Sequence, residues 1–170
     1  VHQFSLFDKV VCDDFSEIDQ SKLKKANTIV FSPGPGSPKN YPLSSKIYNQ
    51  FKGKKKIIGI CLGFQQILFC EGAKIIEQKK IYHGFQSEVE VNKFSKLFSN
   101  GKKFKVGRYH SLKLKEPFVA KNFKITMRCA ISKVAMSFEN NIDKVYGFQF
   151  HPESFLTYNG NLLIKKILSA

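Results

Sequence analysis

The stretch from Lys56 to Gln66, KIIGICLGFQQ, constrains the fold of this 170-residue chain more than any other. Its first half contains three isoleucines directly after a cluster of lysines, which predicts a short buried strand and not a helix. From Leu62 onward the apolar residues recur at helical spacing. The sequence therefore predicts a strand that turns directly into a helix, with Cys61 at the turn.

Cys61 lies between Gly59 and Gly63, a spacing that matches the nucleophile elbow, in which a tight strand-to-helix turn presents a reactive side chain. Unpaired backbone N–H groups at the start of the helix favour the thiolate form of a cysteine placed there. The alternative is a small apolar side chain without reactivity, which is the commoner role of a cysteine in an apolar stretch. We expect Cys61 to be exposed at the apex of the turn and take it as a candidate nucleophile.

The formal net charge of +15, from 28 basic and 13 acidic residues, raises the question of an anionic partner. Only Arg108 and Arg128 are arginines, and the lysines are scattered along the chain. Specific reading of bases depends largely on arginine. We therefore predict a solvated lysine surface and no nucleic-acid partner, with a lysine-rich module that binds anions or nucleic acid as an alternative.

The cysteine pattern and the hydropathy bear on localisation. The four cysteines form no C-x-x-C pair, which favours a reducing compartment. No apolar run approaches the roughly 18 residues that a membrane-crossing helix needs, and the N-terminus does not have the regions of a signal peptide. The prediction is a cytoplasmic protein with no membrane partner.

Strand and helix patterns alternate in the first half of the chain, which is typical of a parallel sheet. The patterns predict strands at 9–12, 28–31 and 57–60 and helices at 18–25, 43–51 and 62–69. Beyond residue 72, period-2 segments at 87–91, 123–127, 134–138 and 145–150 predict antiparallel or edge strands, and a helix at 162–168 closes the chain. The predicted fold is α/β: an open, mostly parallel sheet flanked by helices, with additional antiparallel strands, in one domain.

The loop SPGPGSP at 32–38 directly follows a predicted buried strand. In parallel α/β sheets, loops at this end of the strands gather around the ligand crevice. Prolines fix the path of the chain, while Gly34 and Gly36 let backbone N–H groups approach a ligand, as in an oxyanion hole. A stiff turn without function is the alternative, and the spacing does not fit a nucleotide phosphate loop.

The segment GFQFHPES at 147–154 contains a second candidate. Pro152 disfavours the helical region for His151, so the chain there is predicted to be extended, with positions 151 and 153 on the same side. His151 could then act as a general base that Glu153 orients. A loop histidine without function is the alternative.

Two further features lie near these motifs. Gln65 follows Cys61 by four residues and so lies on the same helical face, where its amide could bond a polar substrate. The segment GRYHSL at 107–112 packs polar groups into a strand-like stretch, and its spacing alone indicates no mechanism.

Together, GICLGFQQ, SPGPGSP, RYHSL and GFQFHPES resemble the class I (triad) glutamine amidotransferases, over essentially the whole chain. The loop and RYHSL variants are most similar to small subunits of anthranilate synthase and aminodeoxychorismate synthase. The resemblance implies a triad of Cys61, His151 and Glu153. It also implies an oxyanion hole from the backbone of Gly36 and Leu62, and a glutamine site that includes Gly34, Pro35, Gln65, Ser111 and Leu112.

The same resemblance implies a reaction and a partner. Cys61 would attack the side-chain carboxamide of L-glutamine, and His151 would protonate the departing ammonia and then activate water to release glutamate. Ammonia would pass to a chorismate-using synthase subunit of the tryptophan or folate pathway, in a hetero-oligomer. No metal or organic cofactor is expected for this half-reaction.

Two departures from the family pattern matter. Phe64 stands where histidine is common, and we expect it to alter packing or partner contact while the chemistry is retained. The family begins with a strand and an acidic, aromatic turn, whereas residues 1–7 are predicted to be the end of an amphipathic helix, so we expect a domain over 1–170 without its first strand. A degenerate amidotransferase that only docks on its partner is therefore a further alternative.

Overall fold

The computed structural model describes residues 2–14 and 17–170 of the chain. The helices in these ranges are α1 (His2–Ser5), α2 (Gln20–Lys25), α3 (Pro42–Phe51), α4 (Leu62–Cys70) and α5 (Gly160–Leu168), with a short 3-10 turn at Pro38–Asn40. The strands are β1 (Thr28–Phe31), β2 (Lys56–Ile60), β3 (Ile75–Glu77), β4 (Phe85–Val91), β5 (Lys103–Arg108), β6 (Leu112–Leu114), β7 (Lys124–Cys129), β8 (Ala135–Asn140) and β9 (Val145–Phe148). None of these helices has both the length and the apolar character needed to cross a membrane.

Within the described ranges, seven strands form one mixed sheet in the order β1-β2-β9-β8-β7-β4-β5. The pairs β1·β2 and β2·β9 are parallel, and the four pairs from β9 to β5 are antiparallel. Strands β3 and β6 form a separate antiparallel pair. The carboxyl ends of β2 and β9 lie side by side, which brings the segments that follow them to the same edge of the sheet.

Alternate residues of β2 serve the two faces of the sheet. Ile57 packs in one apolar cluster with Phe64 of α4 and with residues of α3, whereas Ile58 packs in a second cluster with Ile167 of α5. Both isoleucines are buried. Helices therefore cover both faces of the parallel part, and β2 is a central strand with no solvent-exposed side, as its near-continuous apolar run indicates.

The predicted α/β class, with a parallel part between helices and additional antiparallel strands, is confirmed. The antiparallel pairings outnumber the parallel ones because the later strands extend the same sheet from β9. The prediction of a strand at 9–12 is wrong: these residues pair with no strand in the described chain, and Val11 is 60% exposed. Helix α2 begins at Gln20, later than predicted, because the carboxylate of Asp19 accepts from the Ser21 N–H and caps it.

Other boundaries also differ. Residues 1–7 are predicted to be the end of an amphipathic helix, and in the structure helix α1 covers His2–Ser5. Residue 1 lies outside the described residues. The segment 107–112 divides between the end of β5 and the start of β6. Phe64 is fully buried, with its ring centroid 5.2 Å from that of Phe138, so this departure from the family pattern is a matter of core packing.

Helix α4 begins unusually close to strands β1 and β2. A Cβ atom at Gly63 would overlap the backbone carbonyl of Phe31, and one at Gly59 would lie 2.5 Å from the backbone of Gly63. Real Cβ atoms do not tolerate such contacts, so only glycine fits at both positions. This close packing fixes where the first turn of α4 lies relative to the strand ends.

Replacing Gly63 by alanine should destabilise the protein by about 3 kcal/mol or more, because backbone on both sides prevents relaxation. The matched control is Gly101→Ala, at a position with φ 76° and open space around its Cα, where only the backbone strain of about 1 kcal/mol applies. Urea unfolding of both variants measures the difference. Equal destabilisation would contradict the packing argument.

Candidate active site

Cys61 lies at the sharp turn between β2 and α4. Its backbone has φ 52° and ψ −101°, a conformation that residues other than glycine rarely adopt. The Cys61 N–H donates to the carbonyl of Phe148 at 2.8 Å, which ties the turn to the end of β9. The predicted strand–turn–helix arrangement is therefore present, and its backbone is strained at the cysteine.

The side chain of Cys61 is buried and not exposed as the sequence predicts. Only 7% of the residue is accessible. The amide nitrogen of Gln149 lies 3.9 Å from Sγ, and Cys61 is close enough to His151 to raise the pKa of its ring. The segment after β9 covers the turn because β9 is the direct neighbour of β2.

His151 is held by contacts on its backbone and on both sides of its ring. Its N–H donates to the Gly107 carbonyl at 3.0 Å, which joins the segment to β5. Its Nδ1 lies 2.7 Å from a carboxylate oxygen of Glu153. The predicted extended chain at 151–153 is wrong: these residues form a turn closed by the Ser154 N–H, which donates to the His151 carbonyl at 3.2 Å. The ring of Tyr109 packs edge-on against it, with centroids 4.9 Å apart. The imidazole is thus fixed in one orientation.

The surroundings of His151 favour its charged form. Burial lowers its pKa, but the side chains of Cys61 and Glu153 outweigh this and raise the pKa from 6.5 to about 9. Glu153 occupies Nδ1, so Nε2 is the nitrogen left for the thiol; it is buried and has no hydrogen-bond partner among the described residues. At neutral pH the ring therefore carries a proton that it can give to a group near the sulfur.

The loop at 32–38 lies beside the first turn of α4. A Cβ atom at Gly34 would lie 3.0 Å from the Leu62 side chain, and Gly36 has φ 75°. The Tyr41 hydroxyl donates to the Pro35 carbonyl at 2.8 Å and fixes the exposed loop from outside. Leu62 is the first residue of α4, and its N–H has no acceptor within the helix. The structure thus brings this loop, Leu62 and Cys61 together.

Gln65 is buried on the same helical face as Cys61. Its amide nitrogen donates to the Leu112 carbonyl at 3.3 Å and to the side-chain oxygen of Gln149 at 3.0 Å. Ser111 is half-buried next to Leu112, and its carbonyl accepts from the Gln78 N–H at 2.9 Å. The structure therefore brings Gln65 and Leu112 together, with Gln65 bonded inside the protein, and Ser111 adjoins Leu112 along the chain.

Sequence analysis missed Gln149 and Tyr109, although both lie inside motifs that it singled out. Gln149 is fully buried between Phe148 and Phe150, whose stacked rings belong to the cluster under α5. An amide between two aromatic residues at a strand end is a usable signal, because buried polar groups require partners. Tyr109 gave no comparable signal, since its contact with His151 depends on the pairing of distant segments. No cluster of three metal-ligating side chains occurs in the described part of the chain.

Comparisons of the chain with protein families, with individual proteins and with solved structures agree with one another. The family model described as glutamine amidotransferase class-I matches residues 7–170. The chain is 37% identical over 147 residues to anthranilate synthase component 2 of Lactococcus lactis, covering 86% of this chain and 74% of that protein. It is 38% identical over 157 residues to anthranilate synthase component 2 of Buchnera aphidicola, covering 92% and 78%. A glutamine amidotransferase of Thermotoga maritima shares the fold, with a TM-score of 0.66 at 20% identity over 81% of this chain and 61% of that one.

The strained backbone at the turn leads to a stability prediction. Cys61→Gly should be about 1 kcal/mol more stable than Cys61→Ala, because only glycine adopts this φ without steric cost. Both variants remove the thiol, so the difference between their free energies of unfolding reports the cost of the positive φ at position 61. Urea unfolding provides the measurement, and equal stability of the two variants would show that the turn is unstrained.

The pKa values of two histidines should lie on opposite sides of 6.5, the ordinary pKa of an imidazole. Burial and the charge of Arg108 lower the pKa of His110 to about 4, whereas that of His151 is about 9. NMR of the ring protons measures both. Cys61→Ala should lower the His151 value and leave that of His110 near its low value. A His151 value near 6.5 in the unmodified protein would refute the assignment.

The raised pKa of His151 also predicts how stability depends on pH. The folded state binds this proton more tightly than the unfolded chain, so the contribution is fully present below pH 6.5 and is lost as pH rises through about 9. The free energy of unfolding should therefore fall more steeply across this window in the unmodified protein than in Cys61→Ala. Parallel curves would contradict the coupling.

Proposed function

Because this chain belongs to the class-I glutamine amidotransferase family, we propose that it hydrolyses L-glutamine with Cys61 as the nucleophile. His151 is the general acid and base, and Glu153 orients it. The observation that carries this proposal is the position of the His151 ring, which bonds Glu153 at Nδ1, keeps its buried Nε2 without another partner, and has its pKa raised by Cys61. These are the relations that a nucleophile, its base and the group that orients the base require.

The reaction follows from the charge state of the site. The Cys61 thiolate attacks the carboxamide carbon of glutamine, and protonated His151 gives its proton to the nitrogen, which leaves as ammonia. A thioester with the γ-carbonyl remains. Neutral His151 then takes a proton from water, which attacks the thioester and releases glutamate and the cysteine. A His151 pKa of about 9 suits the first step, since the proton is in place at neutral pH.

The oxyanion of each tetrahedral intermediate needs donors. We assign this role to the backbone N–H groups of Gly36 and Leu62, with Gly34 and Pro35 shaping the pocket. Support comes from the closeness of the loop to the start of α4 and from the free N–H groups of a first helical turn. Ser111 and Leu112 would border the glutamine on the side of Gln65.

Ammonia released here would pass to a chorismate-using synthase subunit. The relatives reported above are named anthranilate synthase component 2, and this favours anthranilate over 4-amino-4-deoxychorismate as the product of the partner. The similarity extends over about three quarters of each of these proteins. We propose residues 1–170 as the amidotransferase domain of such a complex.

The proposal predicts that Cys61→Ser lowers glutamine hydrolysis by more than about a thousandfold in the complex with the synthase subunit, because a serine hydroxyl is far less acidic than a thiol. Ammonia release from glutamine is the measurement. Cys70→Ser is the matched control, since Cys70 lies at the far end of α4, and it should keep full activity.

Two results would overturn the proposal. If Cys61→Ser releases ammonia as fast as the unmodified protein, Cys61 is not the nucleophile. If the unmodified complex hydrolyses no glutamine but makes its amino product from free ammonia, the chain is a docking subunit without a working site.

A further inference from the structure

A chain of buried polar side chains runs from β5 to the sulfur of Cys61. Its members are Arg108, His110, Gln65 and Gln149, each 4% exposed or less. The guanidinium of Arg108 lies 3.5 Å from the centre of the Tyr82 ring, and its Nε donates to Nε2 of His110 at 3.0 Å. Burying polar side chains from four segments costs free energy unless each one has hydrogen-bond partners. The pattern of their hydrogen bonds therefore calls for a physical explanation.

Arg108 determines which ring nitrogen of His110 carries the proton. A guanidinium can only donate, so Nε2 of His110 must accept. The proton of the neutral ring then lies on Nδ1, which donates to the Leu112 carbonyl at 2.8 Å. Burial and Arg108 lower the pKa of His110 to about 4, so this tautomer persists at neutral pH.

The Leu112 carbonyl in turn determines the orientation of two glutamine amides. A carbonyl can only accept, so the end of Gln65 that lies 3.3 Å from it must be the NH2 group. The same NH2 group lies 3.0 Å from the side chain of Gln149, so the near atom of Gln149 must be its oxygen. The NH2 group of Gln149 is thereby directed at Sγ of Cys61, 3.9 Å away.

We propose that Gln149 is a positioning residue for the nucleophile: its amide donates to the Cys61 sulfur, and the bonds that begin at the Leu112 carbonyl hold that amide in the donating orientation. The inference rests on the proposed function of Cys61 and adds a residue to it. Gln149 acts through the sulfur, which it keeps in place and stabilises as a thiolate without transferring a proton.

The other groups around the sulfur leave this role open. His151, paired with Glu153, is the titratable neighbour, and it stabilises a thiolate only while it is protonated. Helix α4 and the loop at 32–38 contain no charged side chain, and Arg108 and His110 lie further along the chain of bonds. A neutral amide donor works at every pH. It would therefore support the thiolate also at pH values above the His151 pKa of about 9, where the ring no longer carries its proton.

The test is the rate at which iodoacetamide alkylates Cys61 in the 170-residue chain, resolved from the other cysteines by peptide mass spectrometry over a range of pH. In Gln149→Met, which keeps the length and removes the donor, we expect alkylation about tenfold slower at neutral pH. The midpoint of the pH profile should rise by about one unit. Gln149→Glu, which places a carboxylate against the sulfur, should shift the midpoint further.

Gln66→Met is the matched control. Gln66 neighbours Gln65 on α4 and is equally buried, but its amide bonds Ser45 and lies near Cys70, away from this chain. Its pH profile at Cys61 should match that of the unmodified protein even though its stability falls.

The inference is overturned if folded Gln149→Met and Gln149→Glu keep the unmodified profile at Cys61, or if Gln66→Met shifts it as far as Gln149→Met does. These outcomes are distinct from failure of the proposed function. Alkylation uses neither glutamine nor the partner subunit, so the profile still reports on the Gln149 contact if Cys61→Ser retains full ammonia release.

Discussion

The packing of α4 against the ends of β1 and β2 is the constraint on which the site depends. Gly63 lies so close to the Phe31 carbonyl that no side chain fits, and this proximity gives the chain too little room to leave β2 by an ordinary turn. Cys61 therefore adopts a positive φ of 52°, which lets the chain turn within this short distance. The strain places the sulfur over the carboxyl end of the sheet, where β9 delivers His151 beside it.

Two histidines near the site, His110 and His151, are held in opposite charge states by their neighbours. His110 and His151 are both largely buried, yet one is held neutral by a neighbouring arginine and the other is held charged by a thiol and a carboxylate. Such opposite shifts separate a structural histidine from one that can exchange protons in the proposed reaction. Arg108 acts on His110 in two ways: its charge keeps the ring neutral, and its Nε–H selects the tautomer in which Nδ1 donates to the Leu112 carbonyl.

Much of this could be predicted from local patterns, and the failures have physical causes. The β2–Cys61–α4 unit and the contact between His151 and Glu153 could be predicted because both involve residues a few positions apart, although residues 151–154 form a turn and not the predicted extended chain. The strand at 9–12 was wrong because apolar alternation creates a strand only where a neighbour supplies hydrogen bonds. The exposure of Cys61 was wrong because the segment that covers it comes from 88 residues further along the chain.

The sequence by itself determined the residue types that the proposed chemistry requires, the strand-to-helix turn at Cys61, and the closeness of His151 to Glu153, since each depends on residues a few positions apart. Only the tertiary structure decided which of these groups meet. The parallel pairing of β2 with β9 brings the sulfur and the imidazole to one edge, and β5 adds the polar chain that ends at Gln149. Side-chain orientation, protonation and burial are properties of contacts between distant segments, and no local pattern contains them.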